Sequence, residues 1–187
     1  MSNVQPISES YWVEPGVLLA GEHPGHWEEA LLKRRMSRLL DAGIRLFVDL
    51  SDRGDVSRSY RPMLERICRS RGIIADYVNH PLPLERVPER ANDVSAVLRV
   101  INEGIERGVR VYVHCSDGVE RTGLVMGCWL VERGLDPERA LEELSRRFLA
   151  MGKSQVFRGT PTNGAYLEWV ENWEPRLTIR QLHSEAS

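Results

Sequence analysis

Short apolar runs of strand type alternate along this chain with segments in which apolar residues recur at helical spacing. The runs are rich in Val, Ile and Leu, and each is closed by glycine, proline or a polar loop, as strands commonly are. Between them, apolar residues recur three and four positions apart, which is the spacing of a helix with one buried face. The predicted strands are 17–20, 44–50, 73–78 and 109–113, and the predicted helices are 27–41, 62–71, 94–105, 122–133, 137–148 and 162–173. This alternation predicts the α/β class, with a central, mainly parallel sheet flanked by helices.

The length and charge of the chain argue against several classes of protein. With 187 residues, of which 42% are hydrophobic, it is long enough for one domain with its own core. Its formal net charge of −2 provides no basic surface for nucleic acid or for an anionic membrane. The sequence has no recognisable signal peptide and no apolar run of membrane-spanning length. We therefore expect a cytoplasmic protein with no nucleic-acid partner and no membrane insertion.

The three cysteines are expected to be free thiols with different roles. Cys68, Cys115 and Cys128 are an odd number, so they cannot form a fully paired disulfide framework. Cys68 and Cys128 lie among apolar residues of predicted helices, and we expect both to pack in the core. Cys115 has the polar neighbours Ser116 and Asp117, which do not build a dry core. Cys115 is therefore the candidate for chemistry.

The segment 111–123 joins a predicted strand to a predicted helix through a short loop. The strand ends at Cys115, and Arg121 lies just before the helix. Backbone N–H groups of such a loop and the start of the helix suit an anion such as phosphate, and their field is expected to lower the pKa of the thiol. Arg121 would offer two parallel donors to phosphate oxygens, and Gly118 would allow the loop to turn with its amides inward.

This loop resembles the phosphate-binding loop of the cysteine-dependent protein tyrosine and dual-specificity phosphatases. The matching residues are His114-Cys115, five residues, and then Arg121-Thr122-Gly123. Segments 11–21, 80–88 and 160–163, together with the Trp-containing helix after them, also resemble bacterial members of the family in the same order. The resemblance implies a phosphatase domain at 11–174, between a lead-in of residues 1–10 and a tail of residues 175–187. Residues 1–16 are expected to be irregular.

The resemblance also implies roles for individual residues. Cys115 would be the nucleophile, Arg121 would hold the phosphoryl group, and Thr122 would assist the second step. His114 would orient the loop rather than act as a base. The expected phosphate-binding residues are His114, Ser116, Asp117, Gly118, Val119, Glu120 and Arg121. No metal and no cofactor is expected.

The proline-rich loop 80–88 departs from the family pattern. Leu84 occupies the position where dual-specificity members carry the Asp that protonates the leaving group, and leucine cannot donate a proton. Loss of general acid catalysis costs roughly 10²–10⁴-fold in rate. Glu120 is the favoured substitute, because the acid before the arginine has this role in the similar loop of myotubularin phosphatases, and a carboxyl beside phosphate would have a raised pKa. Glu85 and Asp117 are the other candidates, and the last alternative is that the site has no general acid at all.

The sequence as a whole favours hydrolysis of a phosphomonoester, with protein phosphotyrosine as the preferred substrate. No Lys or additional Arg lies between Cys115 and Arg121, so a second phosphate would find no further cation in the loop. Phenolate is also a good leaving group and depends less on a general acid. The alternatives are a phosphate-binding pseudophosphatase, a phosphatase of a non-protein phosphomonoester such as a phosphoinositide, and an enzyme of the rhodanese or arsenate-reductase type. The partner expected is therefore a phosphoprotein, and the oligomeric state is left open.

Overall fold

Five β-strands and six α-helices alternate in the part of the chain that the computed structural model describes, which is residues 4–52, 54–55 and 59–175. The strands are β1 (Ser10–Glu14), β2 (Leu18–Glu22), β3 (Ile44–Asp49), β4 (Asp76–Asn79) and β5 (Arg110–Cys115). The helices are α1 (Glu29–Asp41), α2 (Arg61–Arg71), α3 (Ala91–Glu106), α4 (Glu120–Glu132), α5 (Pro137–Phe148) and α6 (Gly164–Glu171), with a 3₁₀ turn at Gly152–Gln155. From residue 176 onward, the expected tail lies outside the described residues, as do the first three residues of the expected lead-in.

The strands form one sheet in the order β1-β2-β5-β3-β4. β2, β5, β3 and β4 are parallel neighbours, and β1 pairs with β2 in the antiparallel sense. The predicted α/β class with a mainly parallel sheet is confirmed. The expectation that residues 1–16 are irregular is wrong, because Ser10–Glu14 form a strand. The aromatic and β-branched side chains of Tyr11, Trp12 and Val13 are buried there, and Gly16, at φ 73°, turns the chain back into β2.

Two apolar layers cover the two faces of the sheet. On one face, Val111 and Val113 of β5 pack in a core built with α3, α4, α5 and α6. On the other face, Tyr112 packs with α1 and α2. Cys128 lies in the first core and Cys68 in the second, which confirms their predicted burial. β5 is therefore the central strand, and apolar layers cover both of its faces.

Several element boundaries differ from the predicted ones. The strand predicted at 73–78 begins at Asp76, and the helix predicted at 27–41 begins at Glu29. More important for the site, α4 begins at Glu120 rather than at residue 122, so Glu120 and Arg121 lie in its first turn. None of the helices in the described ranges is both long and apolar enough to cross a membrane.

Candidate active site

Cys115 lies at the carboxyl end of the central strand, and the loop 116–119 carries the chain from there into α4. Glu22, the last residue of β2, is the neighbour of Cys115 across the parallel pairing. In open α/β sheets, ligands bind at the carboxyl ends of the strands. The Cys115 side chain is buried at this edge.

Gly118 allows the loop to pack against the end of β2. Its φ is 76°, a conformation that residues with a side chain rarely adopt. A Cβ at this position would lie 2.6 Å from the backbone oxygen of Gly21 and from the backbone nitrogen of Glu22. Only glycine fits both the conformation and the space, so the loop is fixed against its neighbouring strand.

Arg121 is held in one orientation by the ends of three strands. Its side chain is 1% exposed. Nη1 donates to the carbonyls of Leu50, after β3, and Leu82, after β4, at 3.3 and 3.2 Å. Nη2 donates to Ser116 Oγ at 2.9 Å, which ties the guanidinium to the loop itself. Nη1 also forms an ion pair with Asp55, in the polar loop after β3. Asp55 was not predicted from the sequence, although a carboxylate that follows the strand next to β5 is a signal for such a contact.

The Cys115 thiol is in an environment that raises its pKa. Burial has the largest effect, and the Asp117 carboxylate, whose Oδ1 lies 3.3 Å from Sγ, raises the pKa further. The Arg121 guanidinium and the neighbouring Thr122 act in the opposite direction without cancelling these effects. The predicted lowering of the thiol pKa is therefore wrong for this arrangement. The same Asp117 oxygen accepts the N–H of Val119 at 3.0 Å, which fixes the carboxylate beside the thiol.

His114 is buried beneath the loop and linked to a polar network on the α1–α2 side of the sheet. Its Nε2 lies 2.7 Å from the hydroxyl of Tyr60, and its Nδ1 lies 3.7 Å from Asp49 Oδ1. Burial lowers the pKa of His114 to about 4, so the ring is neutral at neutral pH. Tyr77 donates to the other oxygen of Asp49 at 2.9 Å. Tyr60 was also missed at the sequence level, because its position before α2 carries no recognisable motif.

The structure brings only one of the three predicted proton donors into contact with Cys115, and that one is Asp117. The Glu120 carboxylate instead accepts the backbone N–H groups of Thr162 and Asn163, both at 3.1 Å, and the Thr162 hydroxyl. Glu85 lies on the proline-rich loop and is exposed. That Glu120 donates a proton stays a prediction, but its contacts are those of a carboxylate acting as a hydrogen-bond acceptor.

Comparison with known proteins finds a matching family model and a viral relative. Residues 8–165 match the family model described as Swiss Army Knife protein, DSP-PTPase phosphatase domain. The chain is 23% identical over 136 residues to the "Putative tyrosine phosphatase 067L" of Invertebrate iridescent virus 3. That alignment covers 71% of this chain and 50% of the viral protein, so the chain spans about half the length of this relative.

Solved structures of similar fold include three phosphatases. Tk-PTP in its active form has a TM-score of 0.67 at 22% identity, covering 90% of this chain and 98% of Tk-PTP. TpbA of P. aeruginosa, solved with phosphotyrosine, has a TM-score of 0.58 at 21% identity, with coverages of 90% and 91%. PTPMT1, solved with PI(5)P, has a TM-score of 0.59 at 16% identity, with coverages of 96% and 99%. At these identities the likeness establishes the shared fold.

Proposed function

The chain belongs to the DSP-type family of cysteine-dependent phosphatases, and we propose that it hydrolyses phosphomonoesters through a cysteinyl-phosphate intermediate. One observation carries the proposal: the buried Cys115 and the buried Arg121 lie at the two ends of one loop, and the loop is fixed by Gly118. A nucleophile and an oriented cation beside loop amides are the parts that phosphoryl transfer to cysteine requires.

In the proposed first step, the Cys115 thiolate attacks phosphorus, so an S–P bond forms while the bond from phosphorus to the leaving oxygen breaks. The leaving oxygen keeps the electron pair and takes a proton from a general acid. Asp117, 3.3 Å from Sγ, can accept the thiol proton before attack. In the second step, water attacks phosphorus, the S–P bond breaks, and the electron pair returns to sulfur while the conjugate base takes the proton of water. Arg121 and the loop N–H groups stabilise the equatorial oxygens, and the Thr122 hydroxyl assists departure of the thiolate.

We propose Glu85 as the general acid. The Asp55 carboxylate is paired with Arg121, that of Asp117 with the Val119 N–H and Cys115, and that of Glu120 with the segment 162–163. Glu85 has no hydrogen-bond partner among the described residues, and it lies next to Leu84, which occupies the usual position of the acid. A loop carboxyl that is not tied to the protein is the one that can reach a leaving group.

The charges around the loop favour a substrate with one phosphate. Lys153 is near, but its Nζ lies 2.6 Å from Glu22 Oε2 and donates to the Asp117 carbonyl at 3.4 Å, so its charge is already paired. The carboxylates of Asp117, in the loop, and Glu120, in the first turn of α4, add negative charge to this region. A second phosphate group would meet repulsion there. We therefore propose phosphotyrosine in a protein as the substrate, since its phenolate leaves readily.

A single activity screen tests this proposal. The purified protein is assayed against phosphotyrosine peptides, phosphoserine peptides and phosphoinositides, with Cys115→Ser as the matched control. We expect the phosphotyrosine peptides to be hydrolysed fastest, vanadate to inhibit, EDTA to have no effect, and Cys115→Ser to bind substrate without turnover. Arg121→Lys keeps the charge but loses the paired donors, so it should be nearly as damaging as Arg121→Ala.

Different failures of the screen have different meanings. Turnover that survives in Cys115→Ser, or that needs a divalent metal ion, contradicts the cysteinyl-phosphate mechanism. Faster hydrolysis of phosphoinositides contradicts the phosphotyrosine assignment only. Phosphate binding without turnover by the unmodified chain indicates a binding module instead of an enzyme.

A further inference from the structure

The hydroxyl of Tyr166, on α6, lies at a point where three carbonyls of the proline-rich loop converge. It donates to the carbonyl oxygen of Arg86 at 2.9 Å, and those of Leu84 and Pro83 lie at 3.1 and 3.3 Å. The Tyr166 side chain is buried. None of the backbone hydrogen bonds described outside the helices and strands involves these three carbonyls, so the Tyr166 hydroxyl is the contact that ties the loop at residues 83–86 to α6.

The start of α6 is in turn tied to the phosphate-binding loop. Glu120, in the first turn of α4, accepts hydrogen bonds from Thr162 and Asn163, and the Asn163 side chain caps α6 by accepting the Ala165 N–H at 2.9 Å. The Thr160 hydroxyl donates to the Val119 carbonyl at 2.6 Å. These contacts fix the start of α6 relative to the phosphate-binding loop between Cys115 and Arg121.

Close backbone packing makes this connection stiff. A Cβ added to Gly123 of α4 would lie within 2.8 Å of Thr160, and one added to Gly127 would lie 2.9 Å from the Val170 side chain on α6. α4 therefore approaches the segment 160–161 and α6 more closely than residues with side chains would allow at these positions. Because α6 is held against α4, it can keep the proline-rich loop at a fixed position relative to the phosphate-binding loop.

We propose that Tyr166 is a positioning residue that fixes the proline-rich loop, and with it Glu85, over the phosphate-binding loop. This inference rests on the proposed function for its catalytic consequence, although the contact itself does not. Glu85 lies between Leu84 and Arg86, whose carbonyls both face the hydroxyl, so the backbone at Glu85 is held while its side chain stays exposed. Burial raises the pKa of Tyr166, which keeps the phenol protonated as a donor at working pH.

The kinetic test uses Tyr166→Phe, which removes one oxygen atom and keeps the ring in its buried site. If the hydroxyl positions the acid, kcat should fall about tenfold for alkyl phosphates with poor leaving groups, less than the 10²–10⁴-fold of losing the acid itself. KM, and kcat for p-nitrophenyl phosphate, should stay within twofold, because an activated phenolate leaves without a proton. In a Glu85→Gln background, Tyr166→Phe should have no further effect, since both changes act on the same step. Tyr11→Phe makes the same chemical change on β1, in the core, and should leave the leaving-group dependence unaltered.

A second measurement does not require activity. Trypsin cleavage after the exposed Arg86 should be several times faster in Tyr166→Phe than in the unmodified chain, while cleavage after Arg107 should be unchanged. An equal loss on all substrates, additivity with Glu85→Gln, or unchanged cleavage after Arg86 would each overturn the inference. Absence of activity in the unmodified chain would instead overturn the proposed function, and the cleavage rates would still decide whether Tyr166 holds the loop.

Discussion

Replacing Asp117 by Asn should lower the pKa of the Cys115 thiol. The structure places Asp117 Oδ1 3.3 Å from Sγ, and the carboxylate opposes formation of a second negative charge there. Two unit charges at that separation repel by about 1.3 kcal/mol in a water-like medium and by about 5 kcal/mol at an effective dielectric constant of 20. Because this repulsion is lost when the carboxylate becomes a neutral amide, we expect the thiol pKa to fall in Asp117→Asn.

The assay is the pH dependence of iodoacetamide alkylation, read by mass spectrometry after trypsin digestion. The tryptic peptide 111–121 contains Cys115 and neither of the other cysteines, so the reaction at each site is read separately. One unit of pKa gives about ten times more thiolate below the midpoint, but a less basic thiolate is roughly threefold less nucleophilic. The midpoint of the profile is therefore a better measure than the rate at a single pH.

The control is Glu120→Gln, which removes a carboxylate from the same loop region but one that is bound to Thr162 and Asn163. Its midpoint should move much less than that of Asp117→Asn. A midpoint in Asp117→Asn that is unchanged or higher would show that the contact between Asp117 and the thiol does not govern the thiol, and burial alone would then explain its raised pKa.

Three further predictions concern the loop and the acid. Gly118→Ala should abolish activity and lower the melting temperature in calorimetry, because its Cβ would collide with the backbone of Gly21 and Glu22; normal activity would refute the packing argument. Burial lowers the pKa of His114 to about 4, whereas an unfolded histidine has a pKa near 6.5. The free energy of unfolding should therefore fall by up to about 3 kcal/mol as the pH drops from 6.5 to 4. Urea unfolding measures this fall, which should be smaller in His114→Gln. Leu84→Asp should change kcat for poor leaving groups less than twofold if Glu85 already supplies the proton, whereas a large acceleration would show that no donor is in place.

The central fold followed from the sequence because its signals are local. Apolar runs predicted four of the five strands of the sheet, and helical spacing predicted the six helices that cover it. β1 was missed although Tyr11, Trp12 and Val13 favour a strand and the turn at Gly16 and the predicted strand β2 follow directly in the sequence. The contact of Asp55 with Arg121 joins positions far apart in sequence, and the only sequence signal for it is that Asp55 follows the strand next to β5.

The position of Glu120 shows how one boundary error changes a functional prediction. When the helix is expected to begin at residue 122, both Glu120 and Arg121 belong to a loop and can face the phosphate together. In the structure α4 begins at Glu120, and successive residues of a helix point about 100° apart around its axis. Arg121 faces the loop, so Glu120 is directed away and binds Thr162 and Asn163. The error in the expected thiol pKa has a different origin, because the prediction considered the loop amides but not the burial of Cys115 or its contact with Asp117.

The arginine of the loop motif depends on residues outside the motif for its orientation. A guanidinium has five N–H donors in a fixed plane. The two hydrogens of Nη1 are engaged by Leu50, Leu82 and Asp55, so a phosphate held by two parallel donors would use the edge formed by Nε and Nη2. Leu50 and Leu82 contribute only their backbone carbonyls, whose positions are set by where β3 and β4 end. The sheet therefore orients the guanidinium. Substitutions that shift the ends of β3 and β4 should impair phosphate binding without altering any residue of the motif.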